Sequence, residues 1–184
     1  PGTSRRLFSL ASWRGELLVA GDDRTLHRYR GDRSWEKVGE FETFAHPIGI
    51  HNRELVLGML QPASVRTFDG SRWSNLGNPL ADPVRCDEIH SVVTYRGQLL
   101  VGTWPLGRVA RWDADHGAWR QMGRLGDSTE VMALNVYNGK LYAAGIPRAE
   151  VFRYERDREW TTLRRFFDRP GWRPVLVANM RRSA

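Results

Sequence analysis

Tyr137-Asn138-Gly139-Lys140-Leu141-Tyr142-Ala143 sets an aromatic residue before a two-residue turn signal, then a polar residue, then an apolar run. Three other stretches repeat it: Trp13-Arg14-Gly15-Glu16-Leu17-Leu18-Val19, His51-Asn52-Arg53-Glu54-Leu55-Val56-Leu57 and Tyr95-Arg96-Gly97-Gln98-Leu99-Leu100-Val101. The aligned leucines Leu17, Leu55, Leu99 and Leu141 are spaced by 38, 44 and 42 residues. A second landmark keeps the same register. Leu26 to Tyr29, Val65 to Phe68, Val109 to Trp112 and Val151 to Tyr154 are each followed by a tryptophan, at Trp35, Trp73, Trp119 and Trp160. Those tryptophans are 38, 46 and 41 residues apart. Two independent markers in one register identify an internal repeat, which must be found before local structure is assigned.

Within the repeat the pattern is that of a small antiparallel sheet. Val131 to Tyr137 reads as a strand, Asn138-Gly139 as a type I′ hairpin turn, and Lys140 to Ala144 as the returning strand. Gly145 to Arg148, with Pro147, breaks the run. Glu150 to Glu155 is a third strand, and Glu159 to Leu163, beyond the Arg156-Asp157-Arg158 turn, is a fourth. No stretch carries the apolar spacing of a long amphipathic helix. Four strands per period of this length make one propeller blade. The expected fold is therefore all-β: a β-propeller of four-stranded antiparallel blades at about 4–39, 41–78, 86–123 and 128–165. Trp172 to Met180 reads as the first strand of a fifth blade whose partner strands are absent. An array of this kind has to bury its end faces and strand edges. The expectation is a single partial propeller domain over 1–184, part of a larger ring or self-associating through its open ends.

Composition agrees with a globular domain and excludes other classes. The 184 residues are 41% hydrophobic and 27% charged, and about 70% of the unfolded surface of such a chain can be buried. No apolar run reaches the roughly 18 residues of a membrane-spanning helix, so no membrane partner is expected. One cysteine, Cys86, excludes an internal disulfide framework. The net charge of +7 is almost entirely arginine and is scattered along the chain, so nucleic acid is not an expected partner. No segment resembles a signal peptide, and localisation is not assigned.

The strand ending in Asn138 to Gly145, with Tyr154 and Trp160 after it, resembles the kelch repeat, and Tyr29 with Trp35 keeps the same spacing. Asp115-His116-Gly117-Ala118-Trp119 resembles the Asp-box of sialidase-like propellers, one residue short and with Asp113 where Ser or Thr is expected. The paired glycine of kelch is replaced in every copy, by Gly21-Asp22, Gly58-Met59, Gly102-Thr103 and Ala144-Gly145. The resemblance implies a propeller whose ligand site lies where the loops entering each inner strand meet the loops joining strands two and three. It carries no function of its own.

Applied to this sequence, that geometry aligns Glu88 with Glu130, and Phe8, His46, His90 and Met132 two residues further on. The resulting polar set is His46, Arg85, Asp87, Glu88, His90, Asp127 and Glu130, with Trp104, Arg108, Arg148 and Trp172 nearby. Trp104, Arg108, Arg148, Trp172, His46 and Arg85 are candidate ligand contacts, since indole stacking and guanidinium forks suit glycans and peptides. Glu88, Glu130, Asp87 and His90 are candidate acid–base groups, as in glycoside chemistry, which needs two carboxyls about 5 to 10 Å apart. His46, His90 and Glu88 have ligand chemistry but no metal-motif spacing, and no metal or other cofactor is assigned. The leading expectation is a non-catalytic module binding a glycan or a peptide or protein ligand through its loop face. The alternative is part of a glycan-acting enzyme, a sialidase-like glycosidase or a polysaccharide lyase. Whether the chain is an enzyme stays open at this stage.

Overall fold

The computed structural model describes residues 6–80, 84 and 86–166. They form sixteen strands in four four-stranded sheets, with no helix among the described residues. The first blade is β1 (Leu7–Trp13), β2 (Glu16–Gly21), β3 (Thr25–Gly31) and β4 (Ser34–Glu40). The second is β5 (Ala45–His51), β6 (Glu54–Met59), β7 (Val65–Phe68) and β8 (Trp73–Gly77). The third is β9 (Glu88–Tyr95), β10 (Gln98–Trp104), β11 (Arg108–Asp113) and β12 (Ala118–Arg124). The fourth is β13 (Glu130–Tyr137), β14 (Lys140–Ile146), β15 (Glu150–Arg156) and β16 (Glu159–Arg165). Each sheet is an antiparallel meander in chain order, and the first strands of successive sheets pack side by side, β1 on β5, β5 on β9 and β9 on β13. This is the propeller arrangement. The expected fifth-blade strand, with Trp172, lies outside the described residues, as does Arg85.

The turn signals act as their chemistry dictates. Both central residues of the first hairpin of every blade have positive φ: Arg14 and Gly15, Asn52 and Arg53, Arg96 and Gly97, Asn138 and Gly139. That is the type I′ signature, whose twist matches the strands it joins. Blade two keeps the turn with Arg53 at φ 66° where the others place glycine, so the register of the sheet outweighs the local cost of that conformation.

The core lies between the blades. The buried apolar residues resolve into three clusters, one at each junction of consecutive blades. Trp13, Leu18 and Leu26 of blade one meet Leu55, Leu57 and Trp73 of blade two. The next two junctions repeat this pairing, with Val56 and Val65 against Leu99 and Val101, then Leu100 and Val109 against Leu141 and Ala143. The repeated aromatics pair across strands three and four in every blade: Tyr29 with Trp35, Phe68 with Trp73, Trp112 with Trp119, Tyr154 with Trp160. Their ring centroids are 4.6 to 5.2 Å apart. The indole N–H of Trp119 donates to the Leu76 carbonyl of the preceding blade at 2.8 Å, and that of Trp160 to the Met122 carbonyl at 2.8 Å. Trp35 is the exception. It has the same position but no preceding described blade, and its indole is exposed.

Close approach of the next blade requires a small residue on the second strands of blades two and three. A Cβ on Gly102 would stand 2.6 Å from the Val131 side chain of the next inner strand, and one on Gly58 2.5 Å from the Ile89 side chain, again of the next inner strand. This packing need explains the small residues at the position where a kelch repeat would carry paired glycine.

Candidate functional site

The inner strands share a defect that the alignment alone did not reveal. In β1, Leu7 pairs with Gly21 and Ser9 with Ala20, which leaves Phe8 as an extra residue. In β9, Ile89 pairs with Thr103 and Ser91 with Gly102, leaving His90. In β13, Val131 pairs with Gly145 and Ala133 with Ala144, leaving Met132. In β5, His46 and Pro47 together oppose Gly58. Every inner strand thus carries a β-bulge at the same register, and the bulged positions are Phe8, His46, His90 and Met132. A bulge frees a side chain from the alternation of its strand and re-aims it.

Three of these side chains meet in a row across blades one to three. The Phe8 and His46 ring centroids are 5.3 Å apart, and those of His46 and His90 5.1 Å apart. Met132 is exposed in blade four. Two residues before the bulges of blades three and four stand the aligned acids Glu88 and Glu130. His90 Nε2 lies 2.9 Å from Glu88 Oε2 and 4.0 Å from Glu130 Oε2. Gln61, from the loop between β6 and β7, donates its amide N–H to Glu88 Oε1 at 2.8 Å. The same loop is tied to the start of β9 through its backbone, with Gln61 N–H donating to the Asp87 carbonyl at 2.8 Å. Asp87 N–H in turn donates to the Trp104 carbonyl at 3.0 Å. Glu88 is therefore held at both carboxylate oxygens by side chains from two blades.

The electrostatics follow from burial. Glu130 is 3% exposed, and burial pushes its carboxyl above the usual carboxylate range. The nearby Glu88 charge adds to that shift, while His90 opposes it. His46 is pulled down to about 4 by burial and then by His90, against the pull of Glu88, so its imidazole is neutral at physiological pH. With Nε2 of His90 facing carboxylate oxygens, that nitrogen carries the proton, an assignment made from the hydrogen-bond network. The Nδ1 atoms of His46 and His90 are buried without a protein partner among the described residues. Buried polar atoms rarely stay unpaired, so these two mark a place where a bound molecule can complete the network.

The remaining candidates are placed elsewhere or serve as scaffold. Trp104 pairs with Glu88 in the β9–β10 ladder and ends β10 beside the cluster. Arg108 Nη1 donates to Gln121 Oε1 at 2.9 Å, between β11 and β12, on the blade's own sheet. Arg148 pairs with Asp127 at 3.4 Å on the exposed loop side of blade four. Cys86 is buried ahead of β9 with its thiol near the Glu88 carbonyl, and burial pushes its pKa up to about 12, which leaves it unreactive. Among the described residues no group of three His, Cys, Asp or Glu side chains has the geometry to hold a metal ion. Two residues join the site that were not singled out from the sequence as contacts: Phe8, whose alignment with the histidines was the available signal, and Gln61, which lies in the loop joining strands two and three of blade two.

No family model matches the chain, and no curated protein matches it. Solved structures do. A catalytically inactive variant of virginiamycin B lyase from Staphylococcus aureus, crystallised with quinupristin, superposes with a TM-score of 0.71 at 12% identity over 90% of this chain. The extracellular domain of a proposed one-component system from B. thetaiotaomicron gives 0.70 at 16% identity over 88%. A Bacteroides thetaiotaomicron protein of unknown function gives 0.65 at 11% over 86%. The chain spans 56%, 22% and 43% of those three chains. At such identities the likeness concerns the backbone alone, and it agrees with the sheet order and blade-to-blade packing: the chain is built on the β-propeller fold.

Proposed function

We propose that this is a non-catalytic β-propeller module that binds a polar ligand, a glycan or a peptide, at the bulge row formed by Phe8, His46 and His90 with Glu88 and Glu130. The observation that carries the reading is the pair of buried imidazole Nδ1 atoms, His46 and His90, that have no partner among the described residues and lie beside the Glu88 and Glu130 carboxylates. Sugar hydroxyls and peptide amides both donate and accept. They can give a proton to the free lone pair of an imidazole or to a carboxylate oxygen, while Phe8 supplies an apolar wall. Trp104 borders this cluster; Arg108 and Arg148, each paired within its own blade, can contribute only at its margin.

A second reading is favoured by one feature. His90 Nε2 stands between the Glu88 and Glu130 carboxylates at 2.9 and 4.0 Å, and burial holds the Glu130 carboxyl above the usual carboxylate range. An acid and a base in one cluster suit proton transfer, as a lyase or glycosidase requires. One of the structural neighbours is a lyase by name and another is an extracellular domain, so the fold itself favours neither reading.

The test is a glycan array and a peptide library probed with the protein, with calorimetry on each hit. His90→Ala and His46→Ala are expected to weaken binding about tenfold or more, the loss of a buried hydrogen bond. Affinity insensitive to both substitutions would sink the proposed site. A product whose formation is abolished by Glu130→Gln or Glu88→Gln, with binding retained, would replace the binding reading by the catalytic one.

A further inference from the structure

One arginine position on the third strand is neutralised in blades one and four but not in blade three. The residue opposite the one that follows the repeated leucine is Arg28 in blade one, Arg111 in blade three and Arg153 in blade four. Arg28 is held by Glu16 at 2.9 Å and by its cross-strand partner Glu36 at 3.1 Å. Arg153 is held by Glu155 at 2.7 Å. In blade three Gln98 stands in the place of Glu16, and Arg120 in the place of Glu36. Arg111 therefore meets a like charge directly across the ladder, an arrangement that costs stability unless an anion joins it. The neighbouring acid on the same strand, Asp113, is already committed to Arg120 at 2.7 Å and to His116 at 3.0 Å. Among the described residues Arg111 has no ion pair.

Arg111 lines a cavity of about 740 Å³ between the outer strands of blades three and four. Blade three contributes Trp119 and Met122 of β12, and blade four contributes Tyr154 and the β15–β16 turn with Asp157 and Arg158. Arg158 too has no ion pair among the described residues, since Glu159 beside it pairs with Arg156 at 3.0 Å. Its turn is firmly seated. A Cβ on Gly123 would stand 2.5 Å from the Arg158 carbonyl oxygen, and the Trp160 indole donates to the Met122 carbonyl at 2.8 Å. Two uncompensated guanidinium groups thus border one groove on a fixed scaffold, with Trp119 and Tyr154 as aromatic walls.

We infer that this groove is a second binding site, for a ligand that carries an oxyanion, a carboxylate or a phosphate. Guanidinium groups offer paired N–H donors that match both anions, and an anion there relieves the Arg111–Arg120 opposition. The volume is that of a small-ligand pocket, and the two aromatic rings suit the carbon portion of the ligand. The groove shares no residue with the bulge row, so either site stands without the other.

The experiment is calorimetric titration of the 184-residue chain with citrate and, separately, with pyrophosphate, at low ionic strength. At least one should bind at one site per chain with a Kd of about 100 μM or tighter. Binding of citrate identifies a carboxylate site and binding of pyrophosphate a phosphate site. Arg111→Lys keeps the charge but loses the fork, and should weaken binding about tenfold, as should Arg158→Gln. Gln98→Glu gives Arg111 the acid that Arg28 has in Glu16. It should weaken binding by a similar factor while the urea midpoint is unchanged or raised, which separates lost binding from lost folding. Arg33→Gln, in the exposed β3–β4 turn, removes one charge far from the groove and should change affinity less than about twofold. Failure of both anions to bind, wild-type affinity in Arg111→Lys or Gln98→Glu, or equal losses at Arg33 and Arg158 each overturns the inference.

Discussion

Trp119 tests the packing argument most directly, because the same residue recurs with and without a neighbour. Trp119→Ala removes an indole wedged between Trp112 and blade two, together with its hydrogen bond to the Leu76 carbonyl. Truncation of a large buried aromatic costs about 3 to 5 kcal/mol, and the partial exposure of Trp119 places this case near 3. Trp119→Phe keeps an aromatic ring but leaves the Leu76 carbonyl without its donor, so about 1 kcal/mol of the loss should remain. Trp35 supplies the control. Trp35→Ala should change the stability of the 184-residue chain by less than about 0.5 kcal/mol, as expected of a surface site. The assay is equilibrium unfolding in urea at a fixed low protein concentration, with fluorescence and circular dichroism required to coincide. Equal losses at Trp119 and Trp35, or a loss below about 0.5 kcal/mol at Trp119, would refute the claim that the repeated tryptophan acts across the junction.

Three further outcomes are expected. Burial raises the folded-state pKa of Glu130, so the stability it contributes is fully present below the unfolded value and is lost as pH rises through the folded one. Glu130→Gln should therefore gain stability relative to wild type between pH 4 and 7, measured by urea midpoints; a constant difference would contradict the burial argument. His46 has the opposite sign, its neutral form contributing stability above about 6.5 that is lost as pH falls toward about 4. Proton NMR should place its titration near 4, and His46→Phe, which copies Phe8 of blade one, should flatten that limb of the stability profile. Gly102→Ala forces a methyl against Val131 and should cost about 1 to 3 kcal/mol in the same unfolding assay, whereas Gly97→Ala meets no atom within 4 Å and suffers only from its turn conformation.

The parts of the molecule governed by repetition were legible in the sequence. Leu17, Leu55, Leu99 and Leu141 occupy one position because every blade solves the same packing problem, and the tryptophans do so for the same reason. Alignment of Phe8, His46, His90 and Met132 also survived, since register propagates from the hairpin turns. The bulge at those positions did not announce itself. An extra residue in a strand looks, in sequence, like an ordinary shift of alternation. Nor could the composition of the β10–β11 and β14–β15 connections show that Arg108 pairs with Gln121 and Arg148 with Asp127. Those pairings depend on loop paths, which are set by close contacts such as Gly107 against Ser128 and not by any periodic pattern.

The bulge row has a consequence for how such a protein changes over time. A side chain on a regular strand is answerable to two neighbouring blades, so its replacement disturbs the packing of both. Phe8, His46, His90 and Met132 carry no ladder partner on the adjacent strand and no place in the three junction cores. Each blade therefore offers one position outside the junction cores, and the row across the inner strands is spelled by those positions in sequence: Phe, His, His, Met. Duplication of a blade adds a letter, and a point mutation rewrites one, while the framework that presents them is untouched. Chemistry and architecture are inherited separately in this array, one residue per blade for the first and the remaining forty or so for the second.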